Sequence, residues 1–185
     1  MRRGFKAQAT RLALEIRSEF STVARAAFDP YAYFQEYGID VITIGELEGP
    51  ARDHFYLQLG GTLSGALIPT GTGFIVLDND AHPMTRRRAT AAHELAHHAL
   101  EHEFTASISL SERKCGLGGD QESEADVLAG ELLIPFESAK AHAFAGWTDE
   151  QVAEQYGVSI EFARWRMNAS GARKIASRAQ QRRAS

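Results

Sequence analysis

The chain is almost without cysteine: 185 residues carry only Cys115. That excludes an internal disulfide and a cysteine-rich zinc cluster, and makes a reducing cytoplasm the simplest expected home. Long apolar runs are also missing. None approaches the roughly 18 residues that cross a bilayer, so no membrane contact is expected. The basic start Met1-Arg2-Arg3-Gly4-Phe5-Lys6 is followed by no unbroken apolar stretch, which argues against a signal peptide. No internal repeat is visible. What remains is ordinary for a globular protein, 44% hydrophobic and 24% charged. The length suits about one domain with a real core.

Acidic residues vanish near the end. Residues 162–185 hold Arg164, Arg166, Arg173, Lys174, Arg178, Arg182 and Arg183 and no acid, which leaves −11 on the rest of a chain whose total is −4. A basic tail on an acidic body suits nucleic acid or an acidic partner. A solvated, flexible segment over 171–185 is the simpler expectation.

Apolar residues at helical spacing (Ala9, Leu12, Ile16, Phe20) predict a helix over 5–20. Pro30 opens a second, 31–37, with Asp29 as N-cap and Gly38 as its stop. Asp40–Ile44, Leu63–Ile68 and Phe74–Leu77 read as strands, the last two joined as a hairpin through Pro69–Gly73. Helices are predicted over 85–102, 120–133, 148–156 and 159–168, the second stopped by Pro135. The expected fold is α+β. A small three-stranded antiparallel sheet packs on helices that carry a metal site, and a helix-turn-helix-like segment follows. The expected division is 1–145 for the metal domain, 146–170 for the helix pair and 171–185 for the tail.

The chemistry is concentrated in His93-Glu94-Leu95-Ala96-His97. Two imidazoles four residues apart stand one turn apart on one helix face, close enough to share an ion. The intervening Glu94 points about 100° away, where it can reach a metal-activated water. H-E-x-x-H is a zinc-protease signature. The pair borders the apolar stripe of Ala89, Ala92, Leu95, Ala96 and Ala99. His98 and His102 repeat the spacing but lack the following Glu, and read as mostly exposed. A catalytic zinc takes three protein ligands. The helix over 120–133 offers Glu122, Glu124, Asp126 and Glu131. Glu124 shares its face with Val127, Leu128 and Leu132, and a carboxylate in an apolar face needs a nearby cation. Glu124 is therefore the expected ligand and Glu131 the second choice; an arginine partner is the alternative for Glu124. Glu122 and Asp126 fall on the outer side.

The run Arg86-Arg87-Arg88-Ala89-Thr90-Ala91-Ala92-His93-Glu94-Leu95-Ala96-His97, together with Glu122-Ser123-Glu124-Ala125-Asp126-Val127-Leu128-Ala129-Gly130-Glu131-Leu132-Leu133-Ile134-Pro135, resembles the ImmA/IrrE metallopeptidases. The resemblance spans roughly 30–168. Ala89 and Leu128 stand where that family usually has Phe, and Ala96 where it has Gly, all apolar changes that bear on packing. The resemblance implies a gluzincin-like zinc endopeptidase with one Zn²⁺ held by His93, His97 and Glu124, and Glu94 as general base. It also implies a protein substrate, a helix-turn-helix repressor of the XRE type, whose cleavage relieves repression of a mobile element or stress response. For the oxyanion, His54, Tyr56, His98, His102 and Arg86–Arg88 stay open; Asp78, Asp80 and Asp126 are candidates to orient the imidazoles.

Residues 148–159 read as the first helix and turn of a helix-turn-helix, with Ala153 in the corner, Gly157 in the turn and Ser159 capping the next helix. DNA binding through 148–183 is the alternative. Packing of this pair on the metal domain is preferred, because Glu150 and Glu154 would face phosphates poorly. Cys115 is expected to be a passive loop thiol.

Overall fold

The computed structural model describes residues 1–20, 26–53, 63–103 and 119–184. Helix α1 (Phe5–Phe20) buries Phe5, Ala9, Ala13 and Ile16, a single stripe at helical spacing. Arg17, also buried, donates to the carbonyls of Leu132 and Ala26 at 2.6 Å each. Helix α2 (Pro30–Glu36) begins as expected, with the Asp29 carboxylate accepting from Tyr31 N at 3.1 Å and Pro30 in the first turn. Gly38 then takes φ +63°, the left-handed turn that a side chain would resist. Strand β1 (Asp40–Thr43), a 3-10 turn (Ile44–Glu46) and α3 (Gly49–Asp53) follow, then β2 (Gly65–Pro69) and β3 (Phe74–Asp78).

The sheet is mixed, which corrects the expected antiparallel arrangement. Strand order is β1-β3-β2. β2 pairs antiparallel with β3, Gly65 opposite Asp78, while β1 pairs parallel with β3, Asp40 opposite Ile75. Only the β2–β3 link is a tight turn, closed by Thr70 N on Gly73 O at 2.7 Å. Residues 44–64 separate β1 from β2, so no hairpin constrains β1. Val76, Leu77 and Asp78 make β3 the most deeply buried strand, and it takes the centre.

Helices α4 (Met84–Ala99) and α5 (Gly119–Leu133) pack against each other. The sheet and α2 lie on α4, and α1 lies on α5. The chain continues as α6 (Phe136–Phe144), α7 (Asp149–Tyr156), α8 (Ile160–Ala169) and α9 (Ala172–Ala184). The α7–α8 turn has the predicted caps: Thr148 accepts from Gln151 N, Gly157 sits at φ +61°, and Ser159 accepts from Phe162 N. Val152, Tyr156, Ala163 and Met167 are buried in the same hydrophobic cluster as Leu95 and Leu128. Residues 172–184, expected as a flexible tail, are helical instead. Ala172 and Ala176, one turn apart, are buried, and α9 packs on α6 and α8. Small side chains gave that contact no hydrophobic signal in the sequence. No helix among the described residues is long and apolar enough to cross a membrane.

Candidate metal centre

Helix α4 delivers the imidazole pair. His97 is fully buried and His93 half-buried, with their Nε2 atoms 3.0 Å apart. From α5, Glu122 lies across them, Oε2 at 3.4 Å from His93 Nε2 and Oε1 at 3.5 Å from His97 Nε2. Tetrahedral ligands about 2.0–2.1 Å from a common centre stand roughly 3.3 Å from one another, close to these separations. Glu122 Oε1 is buried without a hydrogen-bond partner among the described residues. A carboxylate oxygen stranded beside two imidazole nitrogens is a donor set that fits a divalent ion. Asp126, one turn after Glu122, places Oδ1 3.1 Å from His93 Nδ1.

Glu124, the expected third ligand, is not part of this group. Its carboxylate is held by Arg2, through backbone N (3.0 Å), Nε (3.0 Å) and Nη2 (2.8 Å). The hydrogen bonds from Arg2 keep it below the usual carboxylate range. The cause of the difference is the position of α5 between two helices. Glu124 meets the N-terminal arm at Arg2, whereas Glu122 and Asp126 meet the imidazoles of α4. The sequence reading took the carboxylate on the apolar face as the one that meets the metal; the cation it meets is a guanidinium, the alternative given for it. The E-x-x-x-D spacing held a usable signal, because i and i+4 side chains share a face just as His93 and His97 do. Glu131, the second choice, is buried in an ion pair with Arg166 Nη2 at 2.7 Å.

Glu94 is 2% exposed and accepts from Leu67 N, on the sheet's edge strand β2, at 2.9 Å. Burial pushes its carboxyl above the ordinary value, against the pull of His93 and the Leu67 N–H. His97 is pushed down to about 3 by burial, then by His93 and His102. A neutral imidazole, with its lone pair available, is the form a metal takes.

His98, expected to be exposed, is half-buried; its Nδ1 lies 2.9 Å from Tyr33 OH, and its ring packs on Tyr33, Tyr37 and Phe74. His102, also expected outside, is 8% exposed and reaches His97 Nδ1 at 2.8 Å. Arg86 donates to Ser64, Arg87 to Asp78 and Arg88 to the Phe28 carbonyl. Asp78 accepts from Tyr31 and Arg87, and Asp80 from Gly45 N, while Asp126 lies against an imidazole of the pair. His54, Tyr56 and Cys115 lie outside the described residues.

A family model for peptidase M78, the IrrE N-terminal-like domain, matches residues 34–168. The chain belongs to the ImmA/IrrE family of metallopeptidases. No curated protein gives a match. The matched range contains the imidazole pair, Glu94, Glu122 and Asp126, and runs through α8. It leaves out α1 and Arg2, so the cation that holds Glu124 lies beyond the part this chain has in common with the ImmA/IrrE model.

Proposed function

We propose that this ImmA/IrrE metallopeptidase is a zinc-dependent endopeptidase whose substrate is a helix-turn-helix repressor of the XRE type, inactivated by cleavage. The observation that carries the reading is the convergence of His93 Nε2, His97 Nε2 and the Glu122 carboxylate beside buried Glu94. These three residues would hold Zn²⁺, with Glu122 in the role first expected of Glu124. Bound there, zinc supplies Lewis acidity and a water activated at neutral pH. Asp126 accepts the Nδ1 hydrogen of His93 and fixes that ring. Glu94, oriented by the Leu67 N–H, takes the proton lost by the attacking water and returns it to the departing amine. Its raised affinity for protons suits that exchange. Burial of Val152, Tyr156, Ala163 and Met167 in the common core supports a structural role for the helix-turn-helix-like pair.

The test is incubation of the purified chain with a helix-turn-helix repressor of the XRE type from the same cell, read by intact-mass spectrometry. Two fragments summing to the repressor plus water are expected, lost with chelator and in Glu94→Gln. Complex formation with intact repressor would instead favour a sequestering module. Salt-sensitive duplex binding without cleavage would favour DNA recognition.

A further inference from the structure

The last helix presents one face to its neighbours and the opposite face to solvent. Taking Lys174 as the origin, at about 100° per residue, Ala172 and Ala176 fall near 160° and 200°. Both are buried, where α9 packs on α6 and α8. Gln181, Lys174, Arg178 and Arg182 fall between about −20° and +80°, on the other side, and all four are exposed. Lys174, Arg178 and Arg182 follow one another at four-residue steps, about 6 Å apart along the axis. Helix α9 contains no acid.

Charges on the neighbouring helices leave this stripe intact. Asp149, at the start of α7, is shared by Arg164 and Arg173, with Arg164 Nε 3.0 Å from its Oδ2. Glu137 on α6 is held by Lys140 at 3.2 Å. Glu161 is the one acid of α8, which also carries Arg164 and Arg166. Among the described residues, none of Lys174, Arg178 and Arg182 has an acid within ion-pair distance.

A row of solvated cations gains most against a dense row of anions, because binding there releases condensed counterions. The composition of the face separates the polyanions. A protein partner is gripped by buried apolar or aromatic anchors, and a membrane surface by an apolar face that inserts. Here Ser177 and Gln181 stand between the cations, and Ile175 at the border is the one large apolar side chain of the helix. A helix with its side chains is about 10–12 Å across, which fits the major groove of B-form DNA, about 12 Å wide. The major groove of A-form RNA is too narrow.

We propose that α9 is a docking surface for double-stranded DNA, gripped through its phosphates by Lys174, Arg178 and Arg182 without regard to sequence. The helix-turn-helix-like pair then acts as its support, with α9 packed on α8, the second helix of the pair. The inference uses no residue of the metal group and is independent of the ion and of the peptide substrate.

The full-length chain is titrated into a fluorescent DNA duplex of about 20 base pairs, and anisotropy is read at salt concentrations between about 50 and 200 mM. Three neutralised phosphates give a slope of about −2.7 in log K against log salt, a loss of roughly 40-fold across that range. Equal affinity is expected for duplexes of unrelated sequence. Each of Lys174→Gln, Arg178→Gln and Arg182→Gln should reduce the slope by about 0.9, and the triple variant should remove measurable binding. These side chains are exposed and glutamine is a good helix former, so the variants are expected to fold. Arg11→Gln, at an exposed site on α1, removes the same charge elsewhere and should bind as the wild type does. Absence of binding at the lowest salt overturns the inference. So does binding that the triple variant keeps, or an equal loss in Arg11→Gln, which would make the attraction one of overall charge. Tighter binding of duplex RNA, or displacement of the DNA by polyglutamate at equal charge, would overturn the choice of DNA as the partner.

Discussion

Replacing Arg166 with Met should remove a large part of the stability of this protein. The Arg166 side chain is 5% exposed and the Glu131 side chain 7%, with Nη2 to Oε1 at 2.7 Å. Arg166 Nε also donates to the Ile134 carbonyl at 2.9 Å. Methionine fills much of the same space without charge, so the cost is electrostatic. Glu131 would keep Phe136 N (2.9 Å) and Thr10 Oγ1 (3.1 Å) as donors, but would lose its counter-charge. Stranding one member of a buried pair costs about 3–5 kcal/mol. For a chain of this size each kcal/mol lowers the midpoint by about 2–4 °C, so a fall of roughly 6–20 °C is expected by calorimetry. The double variant Arg166→Met/Glu131→Leu should recover part of it, since no charge is left buried. Ile134 O and Phe136 N would still lack partners. A loss below about 1 kcal/mol for Arg166→Met would refute the reasoning, because it is the value of a solvated pair. It would mean that α8 is not seated on α5 in solution.

Glu122→Gln should abolish tight zinc uptake, while Glu124→Gln should still take up zinc; elemental analysis after dialysis distinguishes them, and the reverse result would restore Glu124 as the ligand. Gly65→Ala should destabilise by about 1–3 kcal/mol in urea. A Cβ there would lie 2.7 Å from Thr90 Cγ2 and 2.9 Å from the Leu77 carbonyl, and Thr90→Ser should relieve only the first clash. Burial raises the Asp149 carboxyl, but Arg164 and Arg173 outweigh it and hold it below its ordinary value. Its folded value being the lower, it contributes stability that is complete above about pH 4 and fades as pH falls through the folded value. Urea midpoints between pH 2 and 6 should therefore fall less steeply in Asp149→Asn, and parallel curves would contradict the assignment.

Local chemistry was legible in the chain itself. The i, i+4 imidazoles, the Asp29, Thr148 and Ser159 caps, the Pro135 stop and the β2–β3 turn depend on residues a few positions apart, whose geometry the backbone period dictates. The elements built on them appear where expected. Tertiary structure decided the rest. β1 runs parallel to β3 because a long connection leaves its direction to packing. Residues 172–184 are helical against α6 and α8, a contact made by two alanines. Above all, the choice between Glu122 and Glu124 depended on which neighbour covers each face of α5. Both carboxylates lie on one helix two residues apart, and helical periodicity fixes only that they diverge. Arg2 and His97, far from α5 in sequence, determine which of the two meets a guanidinium and which meets the imidazoles.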